Sequence, residues 1–388
     1  MNTPGLFVGF DRIQRLAFIV GVAALAVCAA GAIASPEQFF RSYLVAYLFW
    51  AGIALGCFAI IMLHHLVGGR WGDVVRRLLE SGTRTFPLVL LLVIPLLFGL
   101  RHLYVWARPE VIAGDELLEH KSPYLNHAFF VARTVFYFAC WIGVAYLLNK
   151  WSAEQDRTGS ASARSRLQRL SAPGLLLYGL TATFAAVDWV MSLEPHWYST
   201  IYGILFMIGQ ALTTLAFVIT MLRALGDQPP YSDLLRPQHF HDLGNLLLAF
   251  VMLWAYVGFS QYLIIWSGNL PEEVPWYLAR LRGGWGWVAA ALIVFHFVVP
   301  FLLLLSRHNK RRVGILATLA GAMLVVRLVD LMWIVIPAFH PEQIRLHWMD
   351  LAAPVGVGGI WVAAFIRHLK GRPLLPAAEV PLASGGAQ

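Results

Sequence analysis

Ten runs of about twenty apolar residues, each closed by charges or by Pro/Gly clusters, leave this chain few ways to fold. Their limits fall near 13–34, 42–66, 84–103, 126–149, 172–193, 198–224, 242–267, 284–306, 312–337 and 348–370. A hydrocarbon core about 30 Å thick is crossed by about 20 helical residues at 1.5 Å each. The expected fold is an all-α integral membrane protein, one polytopic domain of about ten transmembrane helices, with a flexible cytoplasmic tail over 371–388. Composition agrees: 59% hydrophobic and 13% charged residues leave too little polar surface to coat a water-soluble globule.

The net charge of +8 reads as Lys and Arg flanking a membrane, so lipid is the expected partner and nucleic acid is not. The N-terminus, the loops after even-numbered spans and the C-terminal flank together carry 20 Lys and Arg, against 6 in the other loops. The positive-inside rule then puts both termini in the cytoplasm. Arg12 and Arg15 ahead of a stretch ending in Ala32-Ile33-Ala34 look like a secretory leader, but the apolar part is longer than a usual leader core, which favours an uncleaved first helix. The polar stretch from Lys150 to Ser171 is expected as a solvated linker. Asn269-Leu270-Pro271-Glu272-Glu273 looks like the capped start of a short interfacial helix that stops at Gly283-Gly284. Trp71, Trp106, Trp151, Trp197, Trp276 and Trp348 near span ends suggest an aromatic belt.

Cys28, Cys57 and Cys140 lie singly inside apolar runs, with no C-x-x-C and no Cys/His cluster, so neither a metal nor covalent haem is expected. The informative residues are the ionisable ones within spans, each costing about 2.5–3.5 kcal/mol near the bilayer centre. Arg133, Asp188, Arg327 and Asp330 all fall in the non-cytoplasmic half, and His102 and His127 sit at span ends on that side. Arg327 and Asp330, three apart, can pair with each other. Asp188 has no basic neighbour three or four positions away, so Arg133 is its natural partner, either as a structural ion pair or as part of a functional site. A carboxylate held out of water can exchange protons near neutrality, which makes Asp188 a candidate for redox-linked proton chemistry. Glu194 and His196 come after it, either as an acid/base ladder toward water or as a decorated turn. His296 in the eighth span and His64-His65 in the second raise haem b ligation, but their depths do not match, and a satisfied core histidine is the plainer reading of His296. Val187-Asp188 and Val329-Asp330 form a faint internal echo, which two related four-helix bundles would explain.

Long strings in the sequence resemble the F subunits of bacterial alternative complex III: Asp188 through Gly203, His241-Asp242-Leu243-Gly244-Asn245, Trp254-Ala255-Tyr256, Gln261 through Pro271, Gly283-Gly284-Trp285-Gly286-Trp287, and Arg327-Leu328-Val329-Asp330. The likeness runs from about Phe40 to Phe365. It implies a polysulfide-reductase-like (NrfD-type) subunit of the bacterial inner membrane, with two four-helix bundles flanked by the first and last spans. Such a subunit is haem-free and belongs to a quinol:cytochrome c oxidoreductase. Implied partners are a sister membrane subunit of the same type, an Fe-S subunit, c-type cytochrome subunits and small membrane-anchored subunits, with haem and Fe-S held by those partners. On this expectation Asp188, Glu194 and Arg133 form an outer proton station. His102, His127, Arg133 and Asp188 would face a quinone or menaquinone headgroup, and Arg327, Asp330, His296, His64 and Asp242 would lie along a proton path. The alternative is a secondary transporter binding a coupling ion at the intramembrane Asp and Arg residues, which predicts helices broken at mid-membrane.

Overall fold

The computed structural model describes residues 4–374, with side chains from residue 9 onward. The expected disorder of the tail beyond residue 374 lies outside the described residues. Helices carry the whole architecture: α1 Pro4–Ala34, α2 Pro36–Val67, α3 Arg70–Thr83, α4 Phe86–Phe98, α5 His127–Thr158, α6 Ala161–Trp189, α7 Tyr202–Leu225, α8 Pro237–Gly268, α9 Trp285–Leu305, α10 Val313–Val335 and α11 Met349–Lys370. Among the described residues nine helices are long and apolar enough to cross a membrane, and the pair α3 and α4, bent by 43°, makes a tenth if the two count as one span. The protein is a multi-pass, all-α membrane protein.

Local chemistry sets the helix ends. Pro36 and Pro237 occupy first-turn positions, where a missing N–H costs nothing. Asn126 caps α5 by accepting from the Phe129 N–H at 2.9 Å, and Gly159, at φ 63°, ends the same helix. Here the structure corrects the sequence: α5 runs on to Thr158 and α6 begins at Ala161, so the expected linker is a two-residue turn. The polar stretch is helical because Ala163, Leu167 and Ser171, spaced by four, bury one face. Asn269 also changes role. At φ 46° it closes α8, and the short outer helix begins only at Val274 and runs to Leu281.

Two groups of four emerge from the packing. α2, α4, α5 and α6 form one bundle, α7, α8, α9 and α10 the other, and α2 and α7 make the main seam between them. α1 and α11 pair with each other on the flank of α2. Glycines allow close approach where burial alone cannot: a Cβ on Gly21 would lie 2.7 Å from the backbone nitrogen of Ile360. Lys370 pairs with Asp11, which places both described chain ends on one face, termed the inner face. The aromatic belt is only partly a belt. Trp106, Trp197 and Trp276 are buried, Trp197 stacked on Trp276 at 4.7 Å, whereas Trp348 is exposed.

Candidate functional site

On the outer side of the first bundle, Asp188 ends α6 with no exposed surface. Arg133, one turn and a half into α5, grips it bidentately, Nε to Oδ2 at 2.9 Å and Nη2 to Oδ1 at 2.8 Å. The Tyr137 hydroxyl, one turn further along α5, donates to Oδ2 at 2.7 Å. The remaining edge of the guanidinium donates to the Tyr124 carbonyl at 2.7 Å, and its face lies 3.8 Å from the Tyr124 ring. Spacing along two neighbouring helices thus delivers a charged acceptor, its counter-charge and a phenol to one dry point. Three donors satisfy the ionised form of the carboxylate, which is how a charge is tolerated here.

The second bundle repeats the theme. Arg327 pairs with Asp330 along α10, both buried, and the guanidinium fills the place a side chain at Gly209 of α7 would take. His296 stands 4.0 Å from Asp330, its ring 4.2 Å from that of Trp254, fully buried and with neither ring nitrogen hydrogen-bonded. It lies in a π-helical turn, Ile293–Val298, inside α9. Pro300 explains the turn: its ring cannot accommodate the carbonyl four residues back, that of His296, and the helix widens locally rather than breaking. Beside Arg327, at the seam, a cavity of about 20 Å³ is lined by Trp189, Gln210 and Arg327 among apolar neighbours. That is room for a single water. Gln210 in turn accepts from the Tyr178 hydroxyl at 2.7 Å.

Glu194 does not continue from Asp188 as a ladder. It is held by Arg280 of the short outer helix, Nη2 to Oε2 at 2.6 Å. Arg280 is itself buried, donates to the carbonyls of Trp276 and Ile334, and lies 3.6 Å over the Trp276 ring. Sequence reasoning missed this residue; the Trp276–Arg280 spacing of four, which lets a guanidinium lie back over an indole, was the signal available. His196 pairs instead with Asp115, at 2.6 Å, and Lys121 donates to the Pro195 carbonyl. Together they pin the helix Glu116–Lys121 to the turn after α6. Asp115 also caps that helix, accepting from the Leu117 and Leu118 N–H groups. Desolvation would raise its carboxyl, but the Leu118 N–H, the His196 contact and the Leu117 N–H outweigh it and hold the carboxyl below its ordinary value.

The other expected residues are dispersed. The ring of His102 stacks on Phe40, and His127, exposed at the first position of α5, meets the edge of Trp106; neither bonds Arg133 or Asp188. His102, His127 and the Arg133–Asp188 pair thus stand apart from one another, with Arg133 and Asp188 engaged by each other, by Tyr137 and by the Tyr124 carbonyl. On the inner side His64 contacts Asp73 at 3.3 Å, its ring seated where a side chain on Gly72 would stand. Asp242, at the start of α8, accepts from Gln238 at 2.7 Å. No group of three or more His, Cys, Asp or Glu suited to a metal occurs among the described residues. Neither a model of any known protein family nor any curated protein matches this chain.

Proposed function

We propose that this chain is a haem-free membrane subunit of a bacterial inner-membrane quinol:cytochrome c oxidoreductase, of the alternative complex III type, and that it serves proton movement rather than quinone binding. The observation that carries this reading is the pairing of two buried Arg–Asp clusters, one per bundle, both toward the outer side. Arg327 of the second lines a water-sized cavity at the seam, and Trp189, next to Asp188 of the first, lines it too. Quinol oxidation by a sister subunit releases two protons with two electrons, and a path for protons needs titratable groups that water can reach in relay. Asp330, with His296 unbonded beside it, is the member of this set with room to exchange a proton. Asp188, saturated by three donors, acts as the fixed counter-charge of Arg133. Gln210 and Tyr178 extend the polar trail from the cavity, and His64 with Asp73 and Asp242 line the inner face where it would end.

Haem and Fe-S centres then belong to the partners: a sister membrane subunit, an Fe-S subunit, c-type cytochromes and small membrane-anchored subunits. The transporter alternative draws support from the same charges, but beside Asp330 helix α9 widens at its π-turn and runs on rather than ending at mid-membrane. The test is isolation through an affinity tag on this chain. A multihaem assembly that reduces cytochrome c from quinol is expected, with haem absorbance lost once the cytochrome subunits are stripped away. Recovery of a haem-free oligomer of this chain alone, from membranes that retain the activity, would reject the reading.

A further inference from the structure

Where α3, α5 and the segment after α11 meet on the inner face, four arginines gather round two carboxylates. Glu80 accepts from Arg76 Nε at 3.0 Å, from Arg77 Nη1 at 2.6 Å and from the Ser152 hydroxyl, while Asp156 takes the other end of Arg77. Those two arginines are buried and matched. Arg84 and Arg372 are half-buried, and Arg372 can only share Glu80 with the other two. Among the described residues Arg84 donates only through Nε, to Asn149 Oδ1 at 2.8 Å, and Arg372 donates Nη2 to the backbone carbonyl of the same asparagine at 3.0 Å. The Nη1 of Arg372 is buried in an ion pair with Glu80 at 3.6 Å and makes no hydrogen bond among the described residues. Asn149 cannot turn away from this duty, because its amide nitrogen is committed to Thr83 Oγ1 and the Ala145 carbonyl, both at 2.9 Å.

Among the described residues the cluster thus holds two more positive than negative charges, and the surplus sits on the two partly exposed members at its rim. Two guanidinium groups drawn together by one neutral side chain repel each other unless an anion lies between them. A planar fork with free N–H groups matches phosphate oxygens, and a basic pocket between helix ends at the membrane surface is where an anionic headgroup would reach it. We propose that Arg84 and Arg372, oriented by Asn149, bind the phosphate of an anionic phospholipid, tying the segment after α11 to α5. The inference does not depend on the role assigned to the ion pairs at the seam.

The test uses the full chain, purified and delipidated in detergent, titrated with short-chain phosphatidylglycerol, phosphatidylcholine and inorganic phosphate while Tm is followed and lipid retention is read by native mass spectrometry. A saturable rise in Tm with phosphatidylglycerol but not phosphatidylcholine is expected. Arg84→Gln with Arg372→Gln should weaken the apparent affinity by about tenfold or more and leave Tm in phosphatidylcholine near that of the parent. The same rise with inorganic phosphate would keep the site and make its ligand the free anion. No response to either anion, or an undiminished response in the double variant, overturns the proposal. So does a response seen only after Glu379→Gln, which would give the site to the chain's own tail.

Discussion

Asp188 shows what a single charge must arrange in order to sit in a membrane. Its oxygens take two N–H groups of Arg133 and the Tyr137 hydroxyl, and Arg133 is sandwiched against Tyr124, so neither member can be removed without stranding the other. Asp188→Asn keeps the shape and abolishes the charge, leaving a buried guanidinium unpaired. The expected result is loss of stability of about 3–5 kcal/mol, read as a lower Tm and poor assembly; normal assembly with turnover selectively lost would make Asp188 a proton carrier instead. That Arg133 partners Asp188 was legible in the sequence, because a lone acid at bilayer depth needs a counter-charge from another helix. The partner of Glu194 was not. Arg280 lies 86 positions away on an outer helix, and only the packing of Trp276, Trp333 and Ile334 brings it back.

Between helices, small residues decide which pairs come close. α1 has most of its surface exposed and holds to the protein through α11, where Gly21 meets Gly356, Gly359 and the backbone at Ile360. Gly21→Val should therefore separate α1 from α11 while sparing both bundles, seen as faster proteolysis near Asp11 and Lys370 with little change in the main unfolding transition; an unaltered digestion pattern would refute the close contact. The outer helix Glu116–Lys121 carries a pH dependence. Because the folded state holds the Asp115 carboxyl below its ordinary value of 3.8, its contribution is complete above that value and fades as pH falls through the lower folded one. Protection factors of the amides of residues 115–121, corrected for intrinsic exchange, should be high at pH 6 and fall once the pH drops below the ordinary carboxyl value of 3.8, and Asp115→Ala should lower them at pH 6 as well. Helix existence was legible here from hydropathy, and helix ends were not. The stretch after Lys150 looked like a linker because its composition is polar, yet its apolar residues keep helical spacing, and Asn269 proved to end a helix rather than start one.

At the scale of the whole molecule, hydropathy counted the crossings, because each span must be long and apolar to exist at all. It could not say that a separate amphipathic helix precedes the third span and meets it at a bend of 43°: α3 lies against protein with Val74, Val75, Leu78 and Leu79. Nor could it show that the candidate site divides into an outer pair per bundle with a seam between, which depends on how α2 and α7 pack. What the structure fixes is that the two described chain ends share one face, through Asp11 and Lys370. The basic residues favour the cytoplasm for this face: the loops on that side, with the two chain ends, carry 20 Lys and Arg against 6 opposite. Thr158 is exposed at the turn between α5 and α6, on the same side as both ends. A cysteine placed there should react with a membrane-impermeant maleimide only after cells are opened, whereas one at Leu270, exposed beyond the end of α8, should react in intact spheroplasts. The native cysteines do not confuse the result, since Cys28 and Cys57 are buried and Cys140 lies mid-span. Labelling of the Thr158 position from outside, with protection at Leu270, would invert the protein in the membrane. The Arg–Asp clusters would then face the cytoplasm, and the proton path proposed for them would have to run from the other side.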